Sequence, residues 1–365
     1  MANDPINLYD YEARAKQVLS HDKWDFIDAG AMDEFTTRRN RSAFDQLTLR
    51  PRFMRSVEER KIATTMLGQD ISMPVFVCPA GSHMLAHPDG EVATAKAAGR
   101  SNTLMMLSTS SNCSMEEVAE AATGPLWFQL YHRGNALTAM LVHRAEEAGF
   151  KAIVLTIDTP VPSPKERDLR NKFERTLELG NFRDLGLSRS EISGTDETPG
   201  WDVSRADPIT WKDLEWLKGL TSLPLVLKGV RIAEDAKIAA ECGVEGILVS
   251  THGGRQLDQT MGSIEMVPEI VRAVNGNCEV YLDSGVRRGS DVIKALALGV
   301  KAVGIGRPLY WGLATEGSEG VHHVLELLRE EVDRCLAFCG QSDVTNLDSA
   351  LINIPNNWGP GSTAP

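Results

Sequence analysis

Gly246-Ile247-Leu248-Val249-Ser250-Thr251-His252-Gly253-Gly254-Arg255-Gln256-Leu257-Asp258 joins a short apolar run to a loop that carries a histidine, two glycines and an arginine. Four apolar residues bounded by polar, glycine-rich sequence predict a buried strand. A histidine released at the end of such a strand suits proton abstraction, because its ordinary pKa lies near neutrality. An arginine three residues further on suits a carboxylate, because its planar fork donates paired hydrogen bonds. The stretch therefore predicts a base, His252, and an anion anchor, Arg255, turned toward one small organic acid.

The same grammar recurs along the chain. From about Met73 it repeats apolar run, polar loop and helical segment, the rhythm of strand and helix units around a parallel sheet. The runs are Val75 to Cys78, Leu104 to Leu107, Leu126 to Leu130, Ala152 to Ile157, Leu225 to Lys228, Gly246 to Val249, Glu279 to Leu282 and Ala302 to Ile305. Helices follow several of them, such as Ala233 to Cys242 closed by Gly243, and Ser290 to Leu298 closed by Gly299; glycine is the residue expected just past a helix carboxyl end. Eight units in series predict an α/β fold of the (β/α)8 TIM-barrel type, in which reactive residues gather at the carboxyl ends of the strands. The polar residues obey that rule: Gln129 and Tyr131 end the third run, Thr156 and Asp158 the fourth and Lys228 the fifth, His252 follows the sixth, and Asp283 ends the seventh.

Residues 1–72 read as helices plus a short hairpin that cover one end of the barrel, residues 73–345 as the barrel itself, and residues 346–365 as a tail, all within one domain. A polar, turn-rich stretch at 179–207 follows the fourth strand, and at that position it suits a lid over the mouth or, as the alternative, a disordered surface insertion.

Composition narrows the function. Of 365 residues, 42% are hydrophobic and 24% charged, and the formal charge of -12 argues against a nucleic-acid surface, which needs clustered positive charge. No apolar run is long enough to cross a bilayer, and Met1 to Asp10 lack the pattern of a secretory signal, so a cytoplasmic location is expected. The six cysteines are scattered. Cys335 and Cys339 share a helical spacing with His322 and His323 upstream, but Leu325, Leu327 and Leu328 place that run in an amphipathic packing helix, and no metal site is expected.

Two adjacent loops point to a phosphate. Asp283-Ser284-Gly285-Val286-Arg287-Arg288-Gly289 and Gly304-Ile305-Gly306-Arg307-Pro308 each follow a strand and lead into a helix. Glycines allow close backbone approach, arginines supply charge, and the loops after strands seven and eight are where barrels often hold phosphate. Gly304-Ile305-Gly306 is not a dinucleotide fingerprint, since Arg307-Pro308-Leu309 stands where a third glycine is required. Lys228 ends an otherwise apolar strand, and three partners suit it: a carbonyl substrate in Schiff-base linkage, an anionic cofactor, or an ion pair with Asp158 or Asp283.

Together, Leu227-Lys228-Gly229-Val230, Ser250 to Asp258, Asp283 to Gly289 and Gly304 to Pro308 resemble the FMN-dependent α-hydroxy acid oxidase and dehydrogenase family, of the glycolate oxidase type. The resemblance extends to Arg50-Pro51-Arg52, Ala86 to Glu91, Phe128 to Tyr131 and Leu155 to Pro160. It implies FMN across the barrel mouth, with its ring near Pro79, Ala80 and Gly81 and in contact with Ser108, Gln129, Tyr131, Thr156 and Ser250. Lys228 would lie at the N1–C2=O side of the ring, and the phosphate in a cup of Asp283, Ser284, Gly285, Val286, Arg287, Gly306 and Arg307. It further implies that His252 removes the substrate proton, that Asp158 stabilises the imidazolium, that Arg255 holds the carboxylate and that Tyr131 hydrogen-bonds the substrate.

Four positions depart from the glycolate oxidase pattern. Trp24 is aligned with an active-site tyrosine, Lys165 with a second carboxylate-binding arginine, Thr251 with an asparagine, and Ser110 with a tryptophan facing the substrate. These changes predict a substrate bulkier than glycolate, oxidised from 2-hydroxy acid to 2-oxo acid, with oxygen or another carrier as acceptor. Trp24 and Lys165 also admit oxidation of a carbon–nitrogen bond in a cyclic amino or imino carboxylate. A flavin-binding protein without catalysis is disfavoured, because His252, Arg255, Lys228 and Asp158 are all present. A homotetramer is what the resemblance implies.

Overall fold

The structure, a computed structural model, describes residues 4–183, 185–186, 209–355 and 358. Eight parallel strands close into a barrel: β1 (Val75–Val77), β2 (Met105–Ser108), β3 (Leu126–Leu130), β4 (Ile153–Thr156), β5 (Leu225–Val230), β6 (Gly246–Val249), β7 (Glu279–Leu282) and β8 (Ala302–Ile305). Closure comes from β8 pairing with β1, Val303 opposite Val75 and Ile305 opposite Val77. Each of the eight expected runs forms a strand, and Ala233–Glu241 and Gly289–Ala297 form the expected helices.

The period of two along a strand decides what fills the barrel and what crowns it. Phe76, Met106, Trp127, Val154, Val226, Leu248 and Tyr281 form one buried cluster. Their strand neighbours Val77, Leu107, Phe128, Leu155, Leu227, Val249 and Leu282 belong to a second cluster, between sheet and helices. One further step of two from the interior residues reaches Cys78, Ser108, Gln129, Thr156, Lys228, Ser250 and Asp283. The polar layer of the mouth is thus the top tier of the side-chain stack whose lower tiers are apolar.

The amino-terminal segment covers both ends of the barrel, not one. A hairpin of Thr64–Met66 and Gln69–Ile71 inserts Met66 and Ile71 into the interior cluster. Trp127 Nε1 donates to Gln69 Oε1 at 3.2 Å, and the Leu67 amide donates to Glu279 Oε2 at 3.0 Å, which ties the hairpin to the amino-terminal end. The helix His21–Asp28 and the loop after it lie at the opposite end, where the Ala31 amide donates to Gly254 O at 2.8 Å.

Of the stretch 179–207, residue 184 and residues 187–207 lie outside the described residues, and the expected lid falls largely there. Its start is anchored: Asn181 is fully buried and donates to Ser108 O, Thr109 O and Ser111 Oγ. The tail returns to the amino-terminal segment through Ile352–Asn353, which pairs with Thr48–Leu49.

Candidate active site

A cavity of about 870 Å³ opens at the carboxyl ends of the strands, within the range of about 300–1,000 Å³ typical of sites that enclose a small molecule. Pro79, Ala80, Gly81, Ser108, Tyr131, Lys165, Lys228, His252, Arg255, Asp283, Ser284, Gly285, Val286, Arg287, Gly306 and Arg307 line it, all of them expected at the site. Asp158, Gln129, Thr156 and Ser250 do not line it and stand behind residues that do. Gln129 accepts from Ser108 Oγ at 3.1 Å and donates to Thr156 Oγ1 at 2.9 Å, and Ser250 Oγ accepts from the His252 amide at 2.9 Å.

His252 sits where strand gives way to loop, with φ of 56°, a left-handed conformation that an L-residue adopts at a cost and that concentrates at functional sites. Its Nδ1 lies 3.0 Å from Asp158 Oδ1, and its Nε2 lies 3.5 Å from the Tyr131 hydroxyl. Asp158 Oδ2 accepts from Arg231 Nη2 at 3.3 Å. Burial alone would raise the Asp158 carboxyl, but His252, Lys228 and Arg231 outweigh it and hold it well below the usual carboxylate range. Burial, with Lys228 adding to it, lowers His252 below its ordinary value, and Asp158 offsets part of that loss. The lowered pKa favours the neutral imidazole, and a proton on Nδ1, shared with the Asp158 carboxylate, would leave Nε2 as the acceptor. Gly229 makes the pairing possible: its φ is +106°, and a Cβ there would stand 2.7 Å from the Asp158 Cβ.

Arg255 donates Nη1 to Phe26 O at 2.7 Å and to Ala29 O at 2.8 Å. Among the described residues its Nε and Nη2 edge takes no partner, and that edge suits a carboxylate bidentately. Its guanidinium also lies 5.3 Å from the Phe26 ring centroid, and Phe26 stacks on Phe173 at 4.9 Å.

Two of the departures do not face the cavity. Trp24 is buried with Lys16 Nζ 5.7 Å from its ring, and Phe26 lines the cavity in its place. Residues two apart on a helix lie about 200° apart, so only one of them can face the mouth. Thr251 is buried against Asn40, whose Nδ2 donates to Thr251 Oγ1 at 2.8 Å. Lys165 and Ser110 do line the cavity, as do Asp168, Leu169, Lys172 and Arg175. Sequence reasoning missed that segment, which begins before residue 179, and it missed Arg231. The three-residue step from Lys228 to Arg231 at the end of β5 was the available signal for the latter.

The fit of FMN can be tested on the chain's own groups. Lys228 is 3% exposed, and among the described residues no group hydrogen-bonds or ion-pairs with its ammonium, so a buried cation faces the cavity in want of an anionic or carbonyl partner. Arg287 lies 4.7 Å from the Trp311 ring centroid and is lowered by burial. Arg307 donates to Gly253 O at 3.0 Å and to Ala29 O at 3.2 Å, and burial together with neighbouring Arg255 pushes it down to about 9. A Cβ at Gly306 would meet nothing within 4 Å. Open space beside two half-buried guanidiniums fits a phosphate, and the buried ammonium of Lys228 fits the carbonyl edge of a flavin. Among the described residues no group of three or more His, Cys, Asp or Glu could hold a metal; His322 bonds Ser101 and His323 bonds Tyr11.

Comparison with known proteins agrees with this geometry. Residues 15–354 match the model of a family described as FMN-dependent dehydrogenase. The chain is 45% identical over 361 residues to an L-lactate oxidase of Nostoc sp., covering 96% of this chain and 99% of that protein. It is 45% identical over 355 residues to 2-Hydroxyacid oxidase 1 of Homo sapiens, covering 95% and 96%. A crystal structure of mandelate oxidase superposes with a TM-score of 0.87 at 38% identity, covering 96% of this chain and 98% of that one. The chain is a member of the FMN-dependent α-hydroxy acid oxidase and dehydrogenase family, and FMN is its cofactor.

Proposed function

We propose that the protein oxidises a 2-hydroxy carboxylic acid bulkier than glycolate to the 2-oxo acid. The observation that carries this reading is His252, fixed through Nδ1 by the buried Asp158 carboxylate with Nε2 turned toward the cavity and Tyr131. FMN supplies the two-electron sink. His252 Nε2 takes a proton from the substrate, and the charge gained is balanced by Asp158. The free edge of Arg255 and the ammonium of Lys165 hold the carboxylate, and the Tyr131 hydroxyl donates to the substrate oxygen. Lys228 would hold the N1–C2=O side of FMN, and Arg287, Arg307 and the loop at Gly285 and Gly306 its phosphate.

Similar proteins are named for glycolate, lactate and mandelate, so likeness alone does not choose a side chain. Support for a larger one comes from the walls. Phe26, Leu169 and Phe173 make an apolar side, and Ser110 is small. Oxidation of a carbon–nitrogen bond in a cyclic amino or imino carboxylate rested on Trp24 and Lys165, and only Lys165 lines the cavity.

Oxygen or another carrier reoxidises the enzyme in this reading. No helix among the described residues is long and apolar enough to cross a membrane. We infer a homotetramer from the family and a cytoplasmic location from the sequence, which light scattering and fractionation would check. The function is tested by mixing the FMN-loaded protein, without oxygen, with a panel of 2-hydroxy acids and cyclic amino acids. Flavin bleaching with release of a 2-oxo acid, faster for larger acids than for glycolate, is expected. Bleaching by cyclic amino acids alone would overturn it.

A further inference from the structure

Arg167 stands on the short helix Glu166–Asn171, two residues from Lys165, and reaches from the loop after β4 to the amino-terminal cover. Its Nε donates to Glu34 Oε1 at 2.8 Å, its Nη1 to Asp25 Oδ1 at 3.1 Å, and Nη1 and Nη2 both to Asp28 Oδ2 at 2.9 Å. One guanidinium thus joins three carboxylates of the segment 25–34. Asn171 Nδ2 adds a bond to Asp25 Oδ2 at 2.8 Å. The Arg167 side chain is about one-quarter exposed and Asp25 only 9%, so the cluster is part-buried and less screened than surface pairs.

The same segment supplies the carbonyls that grip the arginines of the mouth: Phe26 O and Ala29 O for Arg255, and Ile27 O and Ala29 O for Arg307. Holding Nη1 of Arg255 is what turns its other edge to the cavity. A further tie, from the Met32 amide to Pro164 O, is long at 3.3 Å. Without Arg167, three neighbouring carboxylates would repel one another across the segment that sets this orientation.

We propose that Arg167 is a positioning residue for substrate recognition: by gathering Asp25, Asp28 and Glu34 it fixes the cover whose carbonyls aim Arg255 at the substrate carboxylate. The proposal rests on the anchoring role given to Arg255 above. Arg167 touches neither the cavity nor the reacting atoms, so its loss is felt in KM for the hydroxy acid. A misplacement of about 1 Å costs on the order of a hundredfold, and a loosened anchor is expected to cost on the order of tenfold.

The test compares the FMN-loaded parent with Arg167→Met and Arg167→Lys, measuring KM and kcat for the best hydroxy acid and the Kd of FMN. Arg167→Met is expected to raise KM about tenfold with kcat and the FMN Kd within about twofold of the parent, because Arg307, unlike Arg255, is also held from outside the segment, by Gly253 O at 3.0 Å. Arg167→Lys keeps the charge but not the three-way fork, and its KM should fall between the two. If Arg167→Met does not fold, an intermediate KM in Arg167→Lys at parental kcat supports the proposal and a parental KM overturns it. Parental KM in both variants, or kcat and FMN affinity falling in step with KM, also overturns it. A parent whose flavin no hydroxy acid reduces would defeat the functional reading itself, a distinguishable outcome.

Discussion

Replacing Asp158 by asparagine removes a charge while keeping the volume and one acceptor oxygen, so it isolates the electrostatic share of the His252–Asp158 pair. At the observed Nδ1–Oδ1 separation of 3.0 Å, two unit charges attract by about 5 kcal/mol at an effective dielectric of about 20. That attraction exists only when His252 is protonated, which is the state formed as the substrate loses its proton. Arg231 also bonds the carboxylate and the charge of Lys228 acts on it from beyond ion-pair distance, so part of the gain is already present, and about 3–4 kcal/mol is a fair expectation. The rate of flavin reduction should then fall by roughly 10²–10³-fold.

The pH dependence has a definite sign. His252 acts in its neutral form, so kcat/KM rises as pH climbs through its pKa and then levels off. Burial and Lys228 already place that pKa below the ordinary value, and Asp158 raises it. Removing Asp158 lowers it further, so the plateau of Asp158→Asn should reach to more acid pH even as its height collapses. Anaerobic stopped-flow at a series of pH values measures both quantities. Reduction within about tenfold of the parent, or an acid limb displaced to higher pH, would refute the reasoning.

Two other outcomes follow from the walls of the cavity. Arg287→Ala should weaken FMN by about ten- to hundredfold, the worth of a charge-assisted hydrogen bond, while leaving the affinity for riboflavin, which has no phosphate, unchanged; equal losses for both ligands in fluorescence titration would remove Arg287 from the phosphate cup. Phe26→Tyr places a hydroxyl in an apolar wall and should lower the ratio of kcat/KM for a bulky acid over that for glycolate by about tenfold, as read from initial rates with the two acids; an unchanged ratio would mean that Phe26 does not set the pocket.

Much of the fold was legible because a barrel repeats a simple instruction. Each strand alternates interior and exterior side chains, so a polar residue two beyond an interior apolar one, as with Trp127 and Gln129 or Val226 and Lys228, must join the mouth. The glycine and arginine loops after β7 and β8 were legible for a similar reason, since their chemistry is local. What failed was helical phase and long-range docking. Trp24 and Phe26 are both aromatic and two apart, and only the docking of the helix His21–Asp28 on the mouth decides that Phe26 faces it. Thr251 follows the mouth residue Ser250, yet its hydroxyl turns to Asn40, 211 positions away. The three carboxylates that meet on Arg167 come from a segment more than 130 positions earlier, and no local pattern announces such a meeting.

The measurement closest to the central claim is a single turnover of FMN-loaded protein and its His252→Ala variant, mixed anaerobically with a bulky 2-hydroxy acid. The parent should bleach and release one equivalent of 2-oxo acid, whereas the variant should keep the yellow spectrum of bound FMN and bleach at least about 10³-fold more slowly. A variant that binds FMN and is reduced at the parental rate would contradict the assignment of His252 as the base.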